Sequence, residues 1–241
     1  PLLLLHGLFG KGRNWTSLAK SFARVLHRPV YTVDLRNHGS SPHSDIMTYD
    51  AMAADVLHLC DKHSLSNISL LGHSMGGKVA MTVALSSSLP SDLIKSLIVA
   101  DIAPSRGRLS PDFEMYLQAM HKIEDAKLKT RKEADHMLHE FVKETPIRQF
   151  LLTNLDAHSH PLKFSIPLKI ISESITNIGD FPHHPDDGAL YYGRTLFIKG
   201  EKSRYINEKN VQHAYAMFPD MEIKTLHTGH WGKLASPCVQ S

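Results

Sequence analysis

Leu70-Leu71-Gly72-His73-Ser74-Met75-Gly76-Gly77 constrains this chain more than any other stretch. The apolar, β-rich run from Ile68 to Leu71 predicts a strand, and the pattern from Lys78 to Leu85 predicts a helix. Between them stands Gly-x-Ser-x-Gly, the composition of a turn sharp enough to expose a serine hydroxyl at the carboxyl end of a sheet. Gly72 and Gly76 suit positions where a β-carbon would strike neighbouring backbone, and Gly77 lets the helix pack close to the strand. The helix amino terminus then favours an anion beside Ser74. Two rival readings fail on single residues. Gly72, Gly77 and Lys78 fit P-loop spacing, but Val79 stands where that loop needs Ser or Thr for magnesium. Ser74 itself occupies the second glycine of a dinucleotide fingerprint. A glycine-rich turn without chemistry remains the plain alternative, and the rest of the chain has to decide.

A length of 241 residues with 42% hydrophobic and 21% charged residues allows one substantial core. The net charge of +3, with no basic block, gives no support for nucleic-acid binding. Cys60 and Cys238 are too few and too far apart in sequence for a disulfide framework or a thiolate metal site. No apolar run is long enough for a transmembrane helix, and no signal peptide is visible. The chain starts inside a strand-like run at Pro1 and stops soon after its last motif, so both ends read as cut.

Strand and helix patterns alternate through the first hundred residues. Pro1 to Leu5 is a continuous apolar run, suited to a strand covered on both faces. His6-Gly7-Leu8-Phe9-Gly10 follows as a loop that offers backbone amides, as half of an oxyanion hole does. Asn14 to Leu26 reads as a helix with Trp15, Leu18, Phe22 and Val25 on one face. Pro29 to Val33 reads as a strand ending in Asp34-Leu35-Arg36-Asn37-His38-Gly39-Ser40. There Asp34 and Arg36 are expected to tie down a turn and Gly39 to supply a special backbone angle. Tyr49 to His63 is an amphipathic helix with Met52, Val56 and Leu59 inward, and Leu93 to Ala100 is a further buried strand that delivers Asp101. This alternation implies right-handed crossovers and a parallel sheet.

Residues 105 to 185 change character: polar, helical and rich in Lys, Glu, His and Met, with helices expected at Phe113 to Met120, Lys132 to Val142 and Ile147 to Leu155. Such an insertion reads as a helical cap over the carboxyl ends of a sheet, giving a core of residues 1–104 and 186–241 and a cap of 105–185. Its histidines, including His183-His184, show no zinc spacing and read as solvated or capping residues. The sheet resumes at Thr195 to Lys199, followed by a helix over Asn207 to Phe218 and a last strand over Glu222 to Leu226. His227-Thr228-Gly229-His230-Trp231-Gly232 comes after it.

A serine on such a turn needs a base and a carboxylate to orient it. His230 is placed for the base beyond the last strand, and His227, at the strand end, is the alternative with less reach. Asp101 is favoured as the acid because it is short and leaves a buried strand directly; Glu201, also after a strand, is the alternative. A cap at the start of the insertion is the structural reading of Asp101.

Taken together, the His6–Gly10 loop, Asp34-Leu35-Arg36-Asn37-His38-Gly39 with Ser41-Pro42-His43-Ser44, Gly72 to Lys78, Asp101-Ile102-Ala103-Pro104, Arg148 to Leu155, and Gly229-His230-Trp231 resemble an α/β-hydrolase. The order and combination are similar to the abhydrolase-domain-containing 11 group and the bacterial YbfF-type esterases. Many other α/β-hydrolases carry the acid in a Gly-x-x-Asp turn after the later strand. Here that turn is Gly200-Glu201-Lys202-Ser203, which matches the YbfF-type pattern and supports Asp101. The resemblance also implies two strands before Pro1 and a closing helix after the last motif, which this sequence lacks.

The resemblance implies a serine hydrolase acting on a carboxylic ester or thioester. Ser74 would attack, His230 would shuttle the proton, Asp101 would hold the imidazole, and the Leu8 and Met75 amides would stabilise the oxyanion, with no metal or organic cofactor. Two other functions accompany it: an acyltransferase resolving the same acyl-enzyme with an alcohol, and a non-catalytic binding protein of mitochondrial metabolic complexes. Mitochondrial location and a protein partner there are likewise implied by the resemblance alone.

Overall fold

The computed structural model describes residues 1–229. His230 therefore lies outside the described residues, as do Trp231 and Cys238. Among the described residues, six strands form one all-parallel sheet: β1 (Leu2–Leu5), β2 (Val30–Val33), β3 (Ile68–His73), β4 (Ile94–Ala100), β5 (Thr195–Gly200) and β6 (Met221–Leu226). Their order is β2-β1-β3-β4-β5-β6. From β1 the chain steps outward to β2, and from β3 it steps the other way through β4, β5 and β6. The direction of winding thus reverses between β1 and β3. At such a point the loops leaving the two strands part and open a crevice at the carboxyl ends. The register aligns Leu5 with Gly72, His73 with Ala100 and Ala100 with Ile198, so His6, Ser74 and Asp101 leave the sheet at one edge.

The unbroken leucine run of β1 follows from burial on both faces: Leu3 and Leu5 join the main core, while Leu2 and Leu4 pack with Trp15 and Leu71 on the opposite face. That opposite face is covered by α1 (Thr16–Leu26). The expected helix from Asn14 begins instead as a 3₁₀ turn over Gly12–Trp15. Val25, placed by its spacing on the inward face, is 66% exposed. It lies in the last turn, beside the left-handed His27 that ends the helix, and α1 has no fully buried residue. On the main face, α2 (Tyr49–Lys62) and α3 (Met75–Ala84) pack with Met52, Val56, Val79 and Val83 in the core. Asp34 and Arg36 do tie down the turn after β2. Asp34 accepts from the Gly12 and Ser40 amides, Arg36 forms a bidentate pair with Asp55 of α2, and Gly39 has φ +57°.

No strand of the sheet lies between β4 and β5. The segment holds α4 (Pro111–Asp125), α5 (Arg131–Phe141), α6 (Thr145–Leu151), α7 (Leu168–Glu173) and α8 (Ile175–Gly179). α9 (Glu208–Met217) connects β5 to β6. The first three inserted helices match the sequence pattern and begin at polar caps or prolines: Ser110 with Pro111, Thr130 with Glu133 in a capping box, and Pro146 in the first turn of α6. α7 and α8, six and five residues long, were not expected.

Candidate active site

Ser74 sits between β3 and α3 with φ +53° and ψ −121°, a conformation that a side chain adopts only under strain. The turn is enforced on all sides. Its amide donates to the Ala100 carbonyl at 3.0 Å, and its carbonyl accepts from Gly77 and Lys78 at 2.8 and 3.1 Å. A β-carbon on Gly72 would collide with the Gly76 carbonyl, and one on Gly76 would come within 2.5 Å of the His6 and Leu5 carbonyls. The serine is 8% exposed. The Gly7 backbone passes close enough that a β-carbon there would lie 3.2 Å from Ser74 Cβ. Met75 opens α3, so its amide has no acceptor within the helix. The structure thus brings the His6–Gly10 loop, Ser74 and the start of α3 together at the switch point.

Asp101 is buried, leaves β4 with φ +54°, and accepts from the Gly200 amide at 2.9 Å. The Ser74–Ala100 bond places the serine beside the strand end that carries it. The alternatives, Glu201 and His227, pair with each other instead, through Oε2 and Nδ1. Their side chains are 49% and 90% exposed, at the surface where β6 ends.

Residues that the sequence reading passed over hold the loop after β1 in shape. Phe9 has φ +62° and is fully buried. Its amide donates to His38 Nε2 at 3.1 Å, and its carbonyl accepts from Asn154 Nδ2 at 2.8 Å. His6 Nε2 accepts from the Leu35 amide at 3.0 Å, while its Nδ1 faces the Gly7 carbonyl at 2.8 Å. These partners assign both rings as neutral, with the proton on Nδ1. Burial pushes His6 down to about 4 and His38 down to about 3, and the two rings lie 5.0 Å apart. Asp34, half-buried, would be raised by burial, but amide donation from Ser40 and Gly12 holds it below the usual carboxylate value. Both histidines and Asn154 lie within motifs visible in the sequence. Their partners are 29 and 145 residues away, and no local pattern reports such bonds.

Lys78, which tempted a P-loop reading, is a structural anchor. Its ammonium donates to the carbonyls of Ser105, Gly179 and Asp180 at 3.1, 2.7 and 2.8 Å. Burial pushes it down to about 8, and the Asp180 charge opposes that shift. The helix that starts at the strained serine is therefore tied to both ends of the inserted helical segment. Among the described residues, no group of three His, Cys, Asp or Glu converges as metal ligands, and no helix is long and apolar enough to cross a membrane.

Residues 1–237 match the α/β-hydrolase fold family. The chain is 41% identical to an sn-1-specific diacylglycerol lipase ABHD11 of Xenopus laevis, over 96% of this chain and 74% of the relative. It is 32% identical to ethanol acetyltransferase 1 of Cyberlindnera jadinii, over 95% of this chain and 74% of that protein. Among solved structures, a marine microorganism esterase superposes with a TM-score of 0.88 at 35% identity, covering 98% of this chain and 90% of that one. Matching fold, matching motifs and a turn that strains one serine lead to a single conclusion: this chain belongs to the α/β-hydrolase family, in the ABHD11-type group.

Proposed function

We propose that the protein is a serine hydrolase that cleaves carboxylic esters or thioesters through an acyl-enzyme on Ser74. The observation that carries this reading is the strained, glycine-walled turn that presents Ser74 between the Gly7 backbone and the start of α3. Ser74 Oγ attacks the acyl carbonyl while His230 takes its proton. The amides of Leu8 and Met75 receive the oxyanion, each contributing about 3 kcal/mol to the transition state. His230 returns the proton to the departing alcohol or thiol, and water then repeats the sequence on the acyl-enzyme. Asp101 holds the imidazole and stabilises the imidazolium. Its buried position at the β4 exit supports that role over the exposed Glu201. The lipase and esterase names of the relatives support an ester substrate.

Fluorophosphonate labelling, with the adduct mapped by mass spectrometry, tests the reading. The expected result is an adduct on Ser74 that disappears in Ser74→Ala and forms at least about a hundredfold more slowly in Asp101→Asn, with Glu201→Gln unchanged. A folded protein that takes no label, or a Ser74→Ala variant with full turnover, defeats it. Resemblance to an ethanol acetyltransferase favours a second reading, in which an alcohol replaces water at deacylation. Product analysis with competing ethanol separates the two: ester formation in excess of acid would establish transfer. The mitochondrial setting, with a protein partner there, belongs to the same proposal and rests on the family resemblance; fractionation of cells expressing the full-length protein tests it.

A further inference from the structure

A cavity of about 570 Å³ opens between the loop that follows Asp101 and the loop between β5 and α9. Arg106 and Arg108 line it from the first loop, and Lys202 and Arg204 from the second. One carboxylate, Asp112, lies on the same lining, and it accepts the Ser110 hydroxyl at 2.9 Å. Among the described residues none of the four cations forms an ion pair. Arg106 alone spends a side-chain hydrogen bond, on the Phe181 carbonyl at 3.3 Å. Lys78 adds its charge to the lining, while its three N–H groups are taken by backbone carbonyls.

Four like charges on one lining repel one another, and the single Asp112 carboxylate there offsets them only in part. An anion resolves that repulsion, and the geometry favours one of high charge. Guanidinium groups on two facing loops can grip phosphate oxygens in bidentate fashion. Ile102, Phe113 and Tyr116 supply apolar wall, so the space suits an organic body attached to the phosphate.

We propose that this cavity binds a phosphate-bearing ligand, gripped by Arg106, Arg108, Lys202 and Arg204. Ser74 is not on its lining, so the site stands independently of the acyl chemistry proposed above. The phosphate can belong to a soluble phosphoester or to a lipid headgroup.

Calorimetric titration of the full chain with inorganic pyrophosphate, and flotation with phosphatidylcholine vesicles with and without phosphatidic acid, test the proposal. The variant is Arg108→Gln with Arg204→Gln. Both side chains are exposed, and thermal melting checks that the variant is folded. The charge-matched control is Lys20→Gln with Arg24→Gln on α1. The expected result is one saturable site whose affinity falls about tenfold or more in the cavity variant and is unchanged in the control. Pyrophosphate binding lost this way assigns a soluble ligand. Vesicle binding that needs phosphatidic acid and is lost this way, without pyrophosphate binding, assigns a headgroup. No binding in either arm overturns the proposal, as does binding that the cavity variant leaves intact or that the control weakens equally.

Discussion

Ser74 bears a backbone cost that its neighbours maintain. At φ +53° and ψ −121° glycine would relax the strain, so Ser74→Gly should raise unfolding stability by about 1 kcal/mol while abolishing labelling. Urea denaturation beside the labelling assay reads both effects. The neutral pair His6 and His38 makes an independent prediction. Each stays unprotonated in the folded chain down to about pH 4 or 3, whereas the unfolded chain takes up protons below about 6.5. The unfolded state therefore binds more protons as pH falls through that window, and stability falls with it. The loss should reach about 2 kcal/mol per histidine by pH 5. Denaturation midpoints at pH 8 and pH 5 check this, and His38→Gln, which retains an acceptor for the Phe9 amide, should shrink the difference by about half.

The strand–turn–helix unit around Ser74 depends on close backbone approach. Gly72→Ala would drive a methyl into the Gly76 carbonyl and should destabilise the protein by about 3 kcal/mol, read as a lowered urea midpoint. At this scale the sequence was most informative. Each strand is an apolar run bounded by turn residues, and all six appear in the structure close to their expected positions. Long helices with periodic apolar faces were equally readable. α7 and α8 were not, because five or six residues give too little periodicity, and Ile170, Ile171, Ile175 and Ile178 read as strand as easily as helix. Val25 shows the opposite error: its spacing marks an inward face, but inwardness at the end of a helix depends on what lies beneath it. The places of Ser74 and Asp101 at strand exits were legible, because each follows directly on an apolar run. The clamp of His38 and Asn154 on Phe9 was not, since it joins residues from three separate parts of the chain. The role of Lys78 was hidden for the same reason: the sequence excluded a phosphate loop through Val79, but only the fold reveals the carbonyls that Lys78 serves.

Across the whole molecule, the inserted helices share the main apolar core with the sheet, and buried hydrogen bonds fasten the two together. Lys78 meets Ser105, Gly179 and Asp180, Tyr49 donates to the Ile178 carbonyl at 2.6 Å, and Asn154 reaches Phe9. Lys78→Met keeps comparable bulk but leaves three carbonyls without their donor, and should cost about 3 kcal/mol or more. Native-state hydrogen exchange reads it as earlier opening of α4 through α8 than of β3. The same fastening bears on how the intact protein comes apart. An insertion between two strands is free, by chain topology, to peel away as a unit of its own. Here its departure would bare apolar side chains on both sides of a shared core and break the bonds that Lys78 makes to the insertion. The insertion and the sheet should therefore unfold as one cooperative unit, and heat or denaturant should take the protein from native to unfolded without an intermediate that retains the sheet and has shed its helical cover.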